Sequence, residues 1–315
     1  MIKLLQFGPE LASLWKSVLP QSPIVFPFST YTWHRNWFAT LGKDWEPNIL
    51  SVNDLVIAPF ARSGDRLILA GGKEGADYLD IIGSDGQKTA ALPEIWNYLA
   101  QQGVKQVELY NVPEDSPTVA FFTKLREELA GKSAIEVVTE DTTPRLVLPQ
   151  TWDEYLNTLP RKSRHELRRK LKKFERQFPQ STVSWANDPA HDIPTLLALM
   201  RLNPDKAAFL TPEMEQFFVL QLTDFFADLW LLLLNVNGVA AAALVAFKNA
   251  QTLLLYNSGF DENNFSGAGF YLKAQSIKIA IDKGIQEYNF LQGSERYKYE
   301  LGGQDFNVYS VKITI

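Results

Sequence analysis

The sequence predicts an α/β (α+β) chain of two domains, and three observations carry that prediction. Its 315 residues exceed one typical domain, its composition of 46% hydrophobic and 21% charged residues is globular, and one succession of elements recurs along it. That succession is hairpin, strand, glycine-containing loop, amphipathic helix, strand. A net charge of −5 argues against nucleic-acid binding by the surface as a whole. With no cysteine, disulfides, thiolate zinc sites, iron–sulfur clusters and cysteine nucleophiles are excluded.

In the first half, Asn48 to Val52 and Leu55 to Phe60 flank an Asn53-Asp54 turn. In the second, Leu231 to Val236 and Val239 to Phe247 flank Asn237-Gly238, a pair suited to the positive φ angles of a type I′ hairpin turn. The latter run is therefore a hairpin and not a membrane span. Strands follow at Arg66 to Ala70 and Thr252 to Ser258, then helices at Pro93 to Gln102 and Phe270 to Lys283. Gly103 and Gly284 are placed to cap those helices in a left-handed conformation, and strands resume at Val107 to Tyr110 and Glu287 to Leu291.

Two prolines in Thr142 to Pro149 mark a junction, giving domains at 1–144 and 145–315. Beyond it, Thr151 with Glu154 and Ser163 with Glu166 have capping-box spacing, which predicts two helix starts separated by Pro160. Leu167, Leu171, Phe174 and Phe178 form a narrow apolar stripe on the second of these helices. A strand at Thr182 to Ala186 and helices at Ala190 to Arg201 and Pro212 to Asp228, the latter capped by Thr211, complete the second half. The opening MIKLLQFGPE has too short an apolar run for a signal peptide, so a cytoplasmic protein without a transmembrane segment is expected.

The segment Asn264-Phe265-Ser266-Gly267-Ala268-Gly269 joins a predicted strand to a predicted helix. Unpaired N–H groups and the helix dipole suit such a start to a phosphate or pyrophosphate, although a plain glycine turn reads equally well from the motif alone. No Gly-Lys-Ser or Gly-Lys-Thr occurs, and Leu272 fills the third glycine position of a dinucleotide fingerprint, which disfavours nucleoside triphosphatases and nicotinamide enzymes.

This order of elements and the Asn-x-x-Gly-x-Gly loop resemble the GCN5-related N-acetyltransferases (GNAT), although Asn264 stands where Gln or Arg is usual. The run GIQEYNFLQGSERYKYEL, Gly284 to Leu301, resembles the paired-domain BioF2-like or cellulose-biosynthesis-type acetyltransferases, with Asn289 where Asp is commoner. The two-domain plan is also similar to that of Fem-type aminoacyltransferases. The resemblance implies two tandem GNAT-like domains, each a mixed, mostly antiparallel sheet flanked by helices. It implies acetyl-CoA or another acyl-CoA as co-substrate, without a metal, held by Asn264, Ser266, Gly267, Ala268 and Gly269. Strands before and after the loop would splay apart to admit the pantetheine arm. An amine acceptor, in a cleft between the domains, would attack the thioester directly, with Glu295 as base, Tyr297 as acid to the leaving thiolate, and Lys298 binding an acidic acceptor or a carrier phosphate. The alternatives are aminoacyl transfer from charged tRNA and a non-catalytic binding module.

At the first half's corresponding loop, Asp77, Asp80 and Asp85 would repel a pyrophosphate, so that domain is expected to be degenerate and acceptor-side, with Asp80 available to an acceptor cation. Arg161 to Arg176 carries nine Lys or Arg against two Glu, +7, while the rest of the chain carries −12. A solvated face is one reading of this helix; contact of Arg168 and Arg169 with coenzyme or acceptor phosphates, or with RNA, is the other. His34, His165 and His191 share no metal-ligand spacing, and Phe217, Phe218, Phe225 and Phe226 read as core.

Overall fold

The computed structural model describes residues 1–23, 27–129 and 134–314. The chain forms two compact units, Met1–Thr142 with Phe306–Ile315, and Thr143–Asp305.

The first unit opens with β1 (Ile2–Leu5), α1 (Pro9–Val18) and α2 (Tyr31–Ala39), elements the repeat pattern had not assigned. The hairpin of β2 (Glu46–Val52) and β3 (Val56–Ser63) follows, and its turn residues Asn53 and Asp54 take φ of 54° and 57°, the left-handed region that their short polar side chains tolerate. After β4 (Arg66–Leu69) comes α3 (Asp85–Gln101), which begins eight residues before the proline expected to start it. Ser84 and Gln87 close a reciprocal capping box there, and Pro93 is carried inside the helix. Gly103 at φ 69° leads into β5 (Gln106–Pro113), followed by α4 (Pro117–Glu128) and β6 (Ala134–Thr142).

The second unit contains β7 (Arg145–Val147), α5 (Trp152–Thr158), α6 (Arg161–Gln177), β8 (Ser181–Trp185), α7 (Pro189–Met200), α8 (Pro204–Phe209) and α9 (Pro212–Asp224). Its hairpin, β9 (Leu229–Val236) and β10 (Val239–Asn249), turns at Asn237 and Gly238, both at positive φ. Then come β11 (Thr252–Phe260), α10 (Ala268–Asp282), β12 (Glu287–Asn289) and the short α11 (Arg296–Glu300). The capping box of Thr151 and Glu154 forms. That of Ser163 and Glu166 does not: α6 already begins at Arg161, behind Pro160, so Ser163 lies inside it.

The unit's sheet runs β7-β12-β11-β10-β9-β8 and is antiparallel except for β11 and β12. Both of its faces are covered. A Cβ at Gly259 would strike the backbone of α7 at Leu199 and Met200, whereas the next residue, Phe260, lies against Gly269 of α10. Successive strand residues point to opposite faces, so α7 and α10 sandwich the sheet, which explains why β9 and β10 read as nearly unbroken Leu and Ala runs.

The last strand, β13 (Asn307–Thr314), corrects the expected domain limits. It inserts between β5 and β6, antiparallel to each, so the first sheet runs β1-β2-β3-β4-β5-β13-β6 and the chain's end belongs to the first unit. The corresponding neighbour of β12 in the second sheet is β7, which comes from the junction between the units. With this exchange both repeats hold a mixed, mostly antiparallel sheet flanked by helices, containing one parallel pair each, β4 with β5 and β11 with β12. Among the described residues, no helix is long and apolar enough to cross a membrane.

Candidate active site

The site begins where a parallel pair fails to continue. β12 pairs with β11 only at Thr252, Leu253 and Leu254, while β11 runs on to Phe260, so from Leu255 this edge has no strand beside it among the described residues. The chain leaves β12 sharply. Asn289 Oδ1 accepts the Leu291 N–H at 2.9 Å, and Leu291 takes φ 56°, unusual for a branched side chain and held there by its surroundings.

Lys298 supplies much of that hold. Its Nζ, in a residue only 1% exposed, donates to the carbonyls of Leu291, Gln292 and Gly293 and lies 2.9 Å from Glu295 Oε2. Those contacts use all the N–H groups an ammonium has. Lys298 is therefore an organiser of the loop after β12 and not, as the sequence suggested, a hand for an acidic acceptor. Glu295 stands at the N-cap of α11 with its side chain 56% exposed.

Ser266 and Gly267 reach the start of α10, and Gly267 at φ 88° is the left-handed N-cap residue, with no side chain of its own to cap the helix. A carboxylate already lies at this position. Both oxygens of Glu262 accept the Gly267 N–H at 3.1 Å, and Oε1 accepts the Ser266 hydroxyl at 2.9 Å. Asn264 turns away, its N–H and side-chain amide both bonded to Asp261. Gly269 serves packing: a Cβ there would strike the Phe260 ring, whereas one at Gly267 would meet only Phe174 at 3.9 Å. Ala268 is buried and its N–H is bonded to Phe265 O.

Between this loop and α6 lies a cavity of about 380 Å³, lined by Arg169, Lys170, Lys173 and Phe174 of α6, by Phe260, Glu262, Ser266 and Gly267, and by Phe270, Tyr271, Lys273 and Tyr297. α6 is held against α10 by its apolar stripe, with Phe174 stacked on Tyr271 at 4.4 Å. Arg169 is bidentate to Glu166, and Lys170 is paired with Glu300 at 2.6 Å and stands over the Phe270 ring. Arg168 lies on the outer face of α6 with His165, Lys172 and Arg176.

Lys273 is the residue that sequence reasoning missed. It is 5% exposed, and its Nζ sits over the rings of Phe260 at 5.0 Å and Tyr297 at 4.7 Å without a carboxylate or carbonyl partner among the described residues. Burial pushes its pKa down to about 7, with Lys206 and Lys298 adding repulsion against the attraction of Glu295. Burial likewise lowers Lys206 to about 8; its Nζ holds Asn257 Oδ1 and Ser258 O on the open edge of β11. Tyr297 is raised well above the usual phenol value, first by burial and then by Glu295, so its hydroxyl stays protonated at neutral pH.

These shifts have a stability consequence. Between about pH 7 and 10.5 the unfolded chain carries a proton on Lys273 that the folded chain does not, so stability rises with pH across that window. Each pKa unit corresponds to about 1.4 kcal/mol, which makes the total several kcal/mol. Lys273→Met should flatten the rise and raise Tm at pH 6, read by thermal melts from pH 6 to 10; an unchanged slope in the variant would contradict it.

Asp80, in the first unit, is not available to an acceptor cation. It is buried and accepts from Lys88 Nζ at 2.9 Å, the Ser116 and Thr118 hydroxyls at 2.7 Å and the Ile81 N–H at 2.8 Å. Those bonds tie α3 and α4 to the loop after β4, a structural role that follows from burying a charge.

Residues 161–299 match the model of the acetyltransferase (GNAT) domain, so the second unit carries a domain of the GNAT superfamily. The paired arrangement has solved counterparts. A conserved protein of unknown function from Bacteroides thetaiotaomicron superposes with TM-score 0.67 at 13% identity over 100% of both chains. FemX gives 0.63 at 11% identity over 98% of this chain and 96% of that one, and a tandem GNAT protein from the clavulanic acid biosynthesis pathway gives 0.53 at 9% over 100% and 98%. At such identities these likenesses show the tandem GNAT-like fold. A search of curated proteins finds no match.

Proposed function

We propose that the second unit transfers an acyl group, acetyl or longer, from a coenzyme A thioester to an amine acceptor by direct attack. The observation that carries this reading is the open edge of β11 from Leu255 to Phe260, ending beside a cationic cavity at the start of α10. An extended pantetheine arm would add to that edge as a strand does. Its pyrophosphate would take the place of the Glu262 carboxylate on Ser266 and Gly267, with Arg169, Lys170 and Lys173 supplying countercharge. The acceptor nitrogen then forms its bond to the acyl carbon as the carbon–sulfur bond breaks. Glu295 takes the acceptor's proton and Tyr297 donates one to the departing thiolate.

Because Glu262 already occupies the Gly267 N–H and the Ser266 hydroxyl, Glu262→Gln should bind coenzyme A about 10- to 100-fold more tightly than the natural chain, the span of one charge-assisted hydrogen bond. Calorimetry of both proteins with coenzyme A and acetyl-CoA tests this. No binding to either protein would remove the acyl-CoA reading.

The outer face of α6 and the carboxylate resident at the loop favour a second reading, aminoacyl transfer from charged tRNA. Replacing Arg168, Arg169 and Lys172 together by Glu should then abolish tRNA binding that falls steeply with salt in the natural chain. Loss of coenzyme affinity without any tRNA binding would return the assignment to acyl-CoA. A chain that binds neither is a non-catalytic module.

A further inference from the structure

Lys273 is placed where a lysine carries a penalty unless something repays it. It lies on the second turn of α10, roughly 8 Å along the axis from Ala268, as a buried part of the cavity lining, whereas Ser266, Arg169 and Lys173 form its exposed mouth. Lys273 lines this cavity, and the charges felt at its ammonium are those of two further lysines, Lys206 of α8 and Lys298 of α11, against one carboxylate, Glu295. Glu262, the acid that lines the cavity, is engaged by Gly267 and Ser266. Glu295 is paired with Lys298, and Lys206 is bonded to an amide and a carbonyl. Of these three lysines, Lys273 alone has no hydrogen-bond partner for its ammonium among the described residues, and it is flanked by the faces of two aromatic rings.

We propose that Lys273 seats a carboxylate carried by one of the two substrates, so that either the acyl chain or the amine acceptor is an organic acid. This rests on the acyl-transfer reading and narrows its substrates. A carboxylate matches the seat in charge: one negative charge for one ammonium that has no carboxylate partner among the described residues. A phosphate monoester, near −2, would leave a charge unmatched there, and the cations suited to phosphate stand at the mouth. Binding would also draw the amine back to its protonated form, because an adjacent anion favours the charged state.

The test uses the full chain and Lys273→Met, a volume-conserving change that removes the charge. Calorimetry compares succinyl-CoA with butyryl-CoA for the acyl side. For the acceptor side, it compares free amino acids with their amides. In the natural chain one pair should differ by at least tenfold in favour of the acid, and in Lys273→Met the same pair should agree within about twofold. Repeating the titrations at pH 8 in buffers of different ionisation enthalpy should show uptake of up to about one proton per acid bound, lost in the variant. Two pairs that each agree within twofold in the natural chain overturn the proposal, as does a preference that persists in Lys273→Met. Equal loss of affinity for coenzyme A itself would place Lys273 on the coenzyme and also overturn it. If no thioester binds at all, the acyl-CoA reading falls while the amino-acid pair still decides the carboxylate seat.

Discussion

Lys298→Met is expected to destabilise the chain by roughly 2–4 kcal/mol, the cost of leaving one buried and two part-buried carbonyls without their donor, less the relief of burying no charge. The carbonyls of Leu291, Gln292 and Gly293 converge on this one ammonium, in a segment where Leu291 is held at positive φ. Without it, that strained turn loses its tie to α11. The paired change Lys273→Met should move stability the other way, since among the described residues its ammonium makes no hydrogen bond to lose. Urea unfolding of the two variants at pH 7 measures both. A loss under 1 kcal/mol in Lys298→Met would mean that water replaces the lysine and that the loop is organised by something else.

The two lysines show how far the site was legible. Lys273 follows the aromatic and apolar run Phe270 to Leu272, whereas Lys298 sits in the largely polar run Gln292 to Glu300. Lys298 reads as a solvated loop cation because Ser294, Glu295 and Arg296 before it are polar; its burial depends on Leu291 to Gly293 folding back over it, which no periodicity announces. Lys273 did leave a signal. Gly269, Ser276, Ile277 and Ala280 fall with it at helical offsets on the buried stripe of α10, and a lysine on such a stripe is an anomaly that helical spacing alone exposes. The loop glycines were legible as a feature but not in their roles. Gly267 supplies the left-handed N-cap, whereas Gly269 makes room for Phe260, a residue nine positions earlier in another element.

The fold was legible where local chemistry decides it. The two hairpins follow from their Asn-Asp and Asn-Gly turns, and the caps at Thr151 and Thr211 from their side chains. The failures share a physical cause. Ser163 and Glu166 have the spacing of a cap but sit behind Pro160, which starts the helix earlier, and Pro93 was given the role that Ser84 and Gln87 perform. The placement of β13 is decided by pairing with β5 and β6, more than 160 residues away, and nothing within Asn307–Thr314 distinguishes one sheet from the other. Alternating strands declare a buried face, not the partner that covers it.

Tyr297→Phe and Glu295→Gln are each expected to lower kcat by about 10²- to 10⁴-fold while leaving the coenzyme dissociation constant nearly unchanged, because proton transfers belong to the transition state and the loop contacts to the ground state. The two should differ in their response to pH. Glu295→Gln loses a base, so its rate should recover as pH rises and the acceptor amine deprotonates in solution. Tyr297→Phe loses an acid whose pKa burial holds well above the usual phenol value, so no recovery is expected on raising the pH, and acyl donors with better leaving thiols should rescue it instead. The cavity position of the Tyr297 ring, against Lys273 and beside Phe290, makes the phenylalanine a conservative probe of the hydroxyl alone. Pre-steady-state acyl transfer, once an acceptor is found through the carboxylate comparison, separates these steps from product release. Natural kcat in both variants would leave positioning on the open edge of β11 as the whole of the catalysis, with Glu295 retained only as the partner of Lys298.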